Sequence, residues 1–153
     1  MRLGFFVIAF ISLIRTVLAD SSTNSTVYSC EYEVRNGSTS GSASIELRGG
    51  LIHKVSFNNF FVGLPGRLGY SCVLEVSRDD KETKWKDNGD EVEVEFPDAQ
   101  QYAGGNSMTL SITADGFLID MSNTRSSGNC GAGAELPEKI VIPKTLKKCK
   151  VRL

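Results

Sequence analysis

The chain has 153 residues, with 17 Lys+Arg against 18 Asp+Glu and a net charge of −1. That length suits a single domain, and a mildly acidic balance gives no reason to expect nucleic acid as a partner. None of its four cysteines sits in a Cys-x-x-Cys pair, which argues against zinc and thioredoxin-like redox chemistry.

The first residues read as a secretory signal. Arg2 supplies the positive start, Leu3 to Ile14 form a mostly apolar run, and Val17-Leu18-Ala19 places small residues before Asp20. The run is shorter than the roughly 20 residues a spanning helix needs, and no later stretch approaches that length. Cleavage after Ala19 would remove two arginines and no acid, taking the net charge from −1 down by two to −3. A protein of the periplasm or the extracellular space is expected, with no transmembrane segment in its mature form. Residues 20–26 are polar and rich in Ser and Thr, which predicts a disordered lead. Residues 27–153 are then a single β domain.

From Val27 the pattern has period two. Tyr28, Cys30, Tyr32 and Val34 fall on one face of a strand, as a sheet with one dry face requires. Ala43, Ile45 and Leu47 repeat it, and Arg48-Gly49-Gly50-Leu51 supplies a tight hairpin. The next strand is expected to carry Leu51, His53, Val55 and Phe57 on its inner side. Asn58 to Gly69 has no clean period and reads as a long loop. Alternation resumes at Cys72, Leu74 and Val76, and the charged stretch Arg78–Glu82 leads to a strand over Thr83–Lys86. Asn88-Gly89 marks a hairpin turn before Val92, Val94 and Phe96, and Pro97 ends that strand. Gln100 to Asn106 reads as a flexible connection. Met108, Leu110 and Ile112 and then Phe117, Ile119 and Met121 form another hairpin. Lys139–Ile142 and the alternation at Cys149, Val151 and Leu153 close the chain. Eight to ten short strands predict an all-β protein. A small antiparallel β-barrel is preferred, since closure removes exposed edges, with a β-sandwich as the alternative.

An even number of cysteines in a short exported chain predicts disulfides, here Cys30, Cys72, Cys130 and Cys149. Four cysteines allow three connectivities. Cys30–Cys72 with Cys130–Cys149 is preferred, because each bridge would then close one half of the chain.

No constellation raises catalysis above chance. His53 is placed in or beside the core, and no Gly-x-Ser-x-Gly elbow is present. Glu91, Glu93 and Glu95 line one face of one strand and read as a solvated face rather than an acid/base pair. Asp87 to Glu91 clusters oxygen ligands without a calcium-loop spacing, so neither a metal nor a cofactor is expected. Charge distribution is more informative. Six acids and no base lie between Asp87 and Asp98, while six bases lie between Lys139 and Arg152. Separated poles can steer a charged partner. Gly66, Arg67, Tyr70, Trp85, Lys86 and Asp90 supply the aromatic and charged side chains that a partner-binding patch uses.

Tyr28-Ser29-Cys30 near the mature start resembles the opening of the bacterial periplasmic inhibitors of c-type lysozymes. Pro65-Gly66-Arg67-Leu68-Gly69-Tyr70 is similar to that family's Ser-Gly-x-x-Tyr loop, with Pro for Ser and one extra residue. Trp85-Lys86-Asp87-Asn88-Gly89-Asp90-Glu91 is similar to its aromatic-Lys and Gly-acid turn. The likeness covers Tyr28 to Phe96, and the Cys130–Cys149 segment lies outside it. The resemblance implies a small β-barrel that inhibits a lysozyme. The Gly66–Tyr70 loop would enter the enzyme's cleft and Arg67 or Lys86 would meet its carboxylates. A non-catalytic envelope or adhesive protein, and a carrier using the barrel interior, stay as alternatives. A homodimer stays open.

Overall fold

The computed structural model describes residues 24–34, 39–61, 69–97, 106–125, 130 and 136–152. The secretory signal, most of the polar lead, Gly66 and Arg67 lie outside these residues. Among them Cys130 is helical, and the elements of the sheets are strands. Ten strands run as β1 Ser25–Val34, β2 Thr39–Arg48, β3 Leu51–Phe61, β4 Tyr70–Ser77, β5 Lys84–Asn88, β6 Glu91–Phe96, β7 Asn106–Ile112, β8 Gly116–Asp120, β9 Lys139–Pro143 and β10 Lys150–Arg152. Residues 25 and 26, placed by composition in the lead, are already paired in β1.

The strands form two antiparallel meanders. One sheet has the order β1-β2-β3-β4 and the other β10-β9-β8-β7-β6-β5. Both follow from short connections between sequence neighbours, which favour adjacent antiparallel pairing. Gly49 and Gly50 take φ of 59° and 83°, and Gly89 takes 70°, so the two tightest hairpins turn where only glycine is unstrained. Inward side chains from both sheets share one core, in which Ile45, Val94, Leu110, Ile119, Ile140 and Ile142 are fully buried.

The all-β antiparallel class holds, but the barrel does not close. On one side the chain turns through Arg78–Thr83 and β4 and β5 do not pair. On the other, β1 meets the approach to β10 through a single parallel bridge, Glu31 to Lys148. The Glu31 amide donates to the Lys147 carbonyl at 2.8 Å, and the Cys149 amide donates to the Glu31 carbonyl at 2.9 Å. Two seams therefore separate the sheets, and each seam has its own device across it.

Disulfides supply part of those devices, in a pairing other than the preferred one. Cys30 bonds Cys149 and Cys72 bonds Cys130. The reason is geometric. Cys30 and Cys72 lie on the two outer strands of one four-stranded sheet, about 14 Å apart at roughly 4.8 Å per strand, beyond disulfide reach. The end of the chain instead returns alongside β1 and sets Cys149 beside Cys30. Each bridge stitches one edge of the first sheet to the second half of the chain.

Two further expectations fail at β3. The β2–β3 register shifts between Glu46 and Leu47, so His53 is an extra residue in its strand. That bulge changes the parity. Ile52, Val55 and Phe57 are buried, whereas Leu51 is exposed and His53, still largely buried beside the core, meets Asp79. Beyond Phe57 the strand continues to Phe61, pairing on both sides, where Asn58–Phe61 had read as loop. Asn59 is the reason the apolar pattern disappears there. It is fully buried but polar, and its Oδ1 accepts the Tyr32 hydroxyl at 3.2 Å. Asn106 repeats the theme in the other sheet: it opens β7 fully buried, and its Oδ1 accepts the Arg125 amide at 2.7 Å.

Candidate partner-binding surface

Tyr70 and Trp85, grouped in one candidate partner-binding patch, are held at different ends of the first sheet. Tyr70 starts β4, opposite Phe61, and the two rings stack at 5.2 Å. Trp85 lies on β5 against Arg78, just past the other end of β4, and Arg78 is tied to the carbonyl of Ile52 near the start of β3. Seven residues at about 3.3 Å each separate Tyr70 from Ser77, so the two aromatics are on the order of 20 Å apart. Trp85, Lys86 and Asp90 lie on one hairpin, with Trp85 packed against the core and Lys86 and Asp90 exposed, and Tyr70 lies apart from them.

Tyr70, half-buried, belongs to an aromatic end in which Tyr32 and Phe57 are buried. Tyr32 stacks on Phe57 at 6.1 Å, and its hydroxyl is pushed above the ordinary tyrosine range by burial first and by Tyr70 second. A phenol held this way stays neutral and serves packing.

The β5–β6 hairpin is the more open surface. Lys84, Lys86, Glu93 and Glu95 face solvent across the pair, while Val92, Val94 and Phe96 point into the core. The alternation that made Glu91, Glu93 and Glu95 a solvated face is what the structure shows. Lys86 meets Glu93 at 3.0 Å and Lys84 meets Glu95 at 3.8 Å, both at exposed sites. Such pairs contribute little to stability and leave a surplus of carboxylate on the hairpin. Asp90 and Glu91 are exposed at its tip.

Arg78 anchors this hairpin to the first sheet. Its Nε donates to the Ile52 carbonyl at 2.7 Å, its Nη2 pairs with Asp87, and its guanidinium lies 4.7 Å from the Trp85 ring centre. The bend at the β4–β5 seam thus carries one side chain that touches both sheets. The Trp85 indole N–H is buried without an acceptor among the described residues. The face of the ring, not its polar edge, is what Arg78 uses.

Next to Arg78, Asp79 gathers a second cluster. It accepts His53 Nε2 at 3.0 Å and Arg48 Nη1 at 3.3 Å. Arg48 Nε also meets Glu46 at 2.8 Å, and Ser25 donates to the same carboxylate at 2.8 Å. The His53 hydrogen bond holds Asp79 below the usual carboxylate range, and Arg48 does the same for Glu46. The one histidine is thus spoken for by a carboxylate on its outer side. Arg78 and Asp79 were passed over in the sequence as a charged lead-in. The available signal was a dense charge run between two strands with no turn glycine in it.

The acidic and basic segments share one end of the second sheet. The Ile112 amide donates to the Asp90 carbonyl at 2.7 Å, and the Lys144 amide donates to the Asp115 carbonyl at 3.0 Å. The hairpin tip is therefore about three strand spacings, roughly 14 Å, from Lys144. That exceeds the Debye length of about 8 Å at physiological salt, so the two patches act on a partner separately.

Among the described residues no group of three or more His, Cys, Asp or Glu could hold a metal, and no helix is long and apolar enough to cross a membrane. No family model, curated protein or solved structure matches the chain.

Proposed function

We propose that this chain is an exported, non-catalytic binding protein that captures a basic protein, with a cationic hydrolase of the c-type lysozyme kind as the partner class. The observation that carries the reading is the β5–β6 hairpin. Its outward carboxylates exceed its lysines, and its base is fixed by Arg78 to the neighbouring sheet. An anchored acidic hairpin presents charge without a large ordering entropy on binding, and it raises the encounter rate with a basic surface. Two intramolecular disulfides and the apolar start of the sequence support the exported setting.

Two segments are candidates for the contact, and their separation makes them independently testable. The Gly66–Tyr70 loop is the one the family resemblance points to, with Arg67 directed at the enzyme's carboxylates. The hairpin is the one the charge distribution points to, with Asp90 and Glu91 at its tip and Lys86 on its flank.

A cell-wall lysis assay with a c-type lysozyme tests the function. Excess chain is expected to suppress lysis, the Asp90→Lys/Glu91→Lys variant to weaken suppression by about tenfold or more, and Arg67→Ala to report the loop. Undiminished lysis at large excess of the chain would remove the inhibitor reading.

A further inference from the structure

Beside the Thr113–Gly116 turn, the link from β9 to β10 encloses a cleft of about 420 Å³. That volume falls in the range of small-molecule sites. It is lined by the apolar residues Ala114, Val141, Pro143 and Leu146 and by Lys144, Lys148 and Lys150, with a single carboxylate, Asp115. Leu146 is 64 % exposed, so its side chain is open to a ligand.

The three lysines are not equivalent. Lys144 donates to the Thr113 carbonyl at 3.0 Å and the Ala114 carbonyl at 3.2 Å, so it closes one wall. Lys148 and Lys150 are exposed and have no ion-pair partner among the described residues.

The cleft is also held in shape. At one end the Lys144 amide is bonded to the Asp115 carbonyl. At the other, the backbone on either side of Lys148 is hydrogen-bonded to that of Glu31, and Cys149 is disulfide-bonded to Cys30 in β1. A link tied at both ends does not have to order itself around a ligand, which favours binding.

We propose that this cleft binds a small amphipathic anion: an apolar body with one phosphate, sulfonate or carboxylate group. The body lies against Val141, Pro143 and Leu146, and the anionic group meets Lys148 and Lys150. A concave site with its charges on the wall suits a molecule that enters, whereas a membrane surface calls for a broad, flat basic face. The site is separate from the acidic hairpin, so its failure or success is read independently of the protein partner.

Calorimetric titration of the full disulfide-bonded chain with octyl phosphate, inorganic phosphate and octyl glucoside tests it. Octyl phosphate is expected to bind at least tenfold more tightly than either of the others, since each buried methylene adds roughly fourfold. Lys148→Gln/Lys150→Gln is expected to lose tenfold or more toward octyl phosphate, and Leu146→Ser a smaller factor. Equal affinity for octyl phosphate and inorganic phosphate would overturn the amphipathic site. So would an unchanged affinity in the double lysine variant. Sedimentation with phosphatidylglycerol vesicles covers the other source of such a headgroup. Retention on vesicles that depends on Lys148 and Lys150 would overturn the free small-molecule ligand in favour of a membrane.

Discussion

The guanidinium of Arg78 lies 4.7 Å from the centre of the Trp85 ring, and the same side chain donates to the Ile52 carbonyl. One residue thereby joins the edge of the first sheet to the hairpin at the edge of the second. Stacking of this kind contributes about 0.5–2 kcal/mol and the hydrogen bond about 1 kcal/mol more. Arg78→Ala is expected to lower stability by about 1–3 kcal/mol and to shift the fluorescence of the only tryptophan. Arg78→Lys recovers little, since a lysine cannot fork between Ile52 and Asp87. Trp85→Phe is expected to be close to neutral, because it keeps a ring beneath Arg78 and deletes a buried N–H that has no acceptor among the described residues. Denaturant midpoints of the three variants check this.

Gly41 sits where a Cβ would run into the Tyr32 hydroxyl and the Asn58 carbonyl oxygen. Backbone on one side and a stacked ring on the other leave no room to yield. Gly41→Ala is expected to destabilise by about 1–3 kcal/mol, in the range of overpacked cores. Urea unfolding gives the value, and the Tyr32–Asn59 hydrogen bond is the contact expected to open.

The disulfide pairing is open to direct mapping. Proteolysis without reductant, followed by mass spectrometry, is expected to yield peptides joining Cys30 to Cys149 and Cys72 to Cys130. The first bridge spans 119 residues of sequence and the second 58. Removing the longer one as Cys30→Ser/Cys149→Ser is expected to cost about 2–5 kcal/mol. It should also release the end of the chain from β1.

Asp120 sets a pH dependence. Lys139, at 2.7 Å, and then Ser122 hold its carboxyl down to about 2 from an ordinary 3.8. A carboxyl depressed in the folded state stabilises above its unfolded value, and that contribution is lost as pH falls through the folded value. Between about pH 4 and pH 2 the wild type is therefore expected to lose stability more steeply than Asp120→Asn. The difference is small, about 0.2–1 kcal/mol, because the pair is partly solvated. Unfolding midpoints at pH 5, 3 and 2 measure it.

Much of the fold was legible because most strands keep strict alternation with one dry face. Val92, Val94 and Phe96 against Glu91, Glu93 and Glu95 is the clearest case, and Gly49-Gly50 and Gly89 announced their turns. Legibility failed where another force overrode the period. A bulge at His53 reversed the parity of the start of β3, and buried Asn59 broke the apolar run that would have extended the strand to Phe61. The cysteine pairing could not be read from spacing, because it depends on which strands end up as edges. At the candidate site, Trp85, Lys86 and Asp90 share one hairpin because they are near in sequence, but alternation turns Trp85 toward the core and leaves Lys86 and Asp90 in solvent. Tyr70 was grouped with them although eight residues of β4 hold it away. Arg78 and Asp79 went unremarked since their importance lies in what they touch across the seam, and no local pattern encodes that.

Calorimetric titration of a c-type lysozyme into the full chain at low and at physiological salt tests the binding reading most directly. Saturable one-to-one binding is predicted, weakened by added salt and weakened about tenfold or more by Asp90→Lys/Glu91→Lys. Binding that the charge reversal leaves untouched, or no heat of binding at low salt, would contradict it.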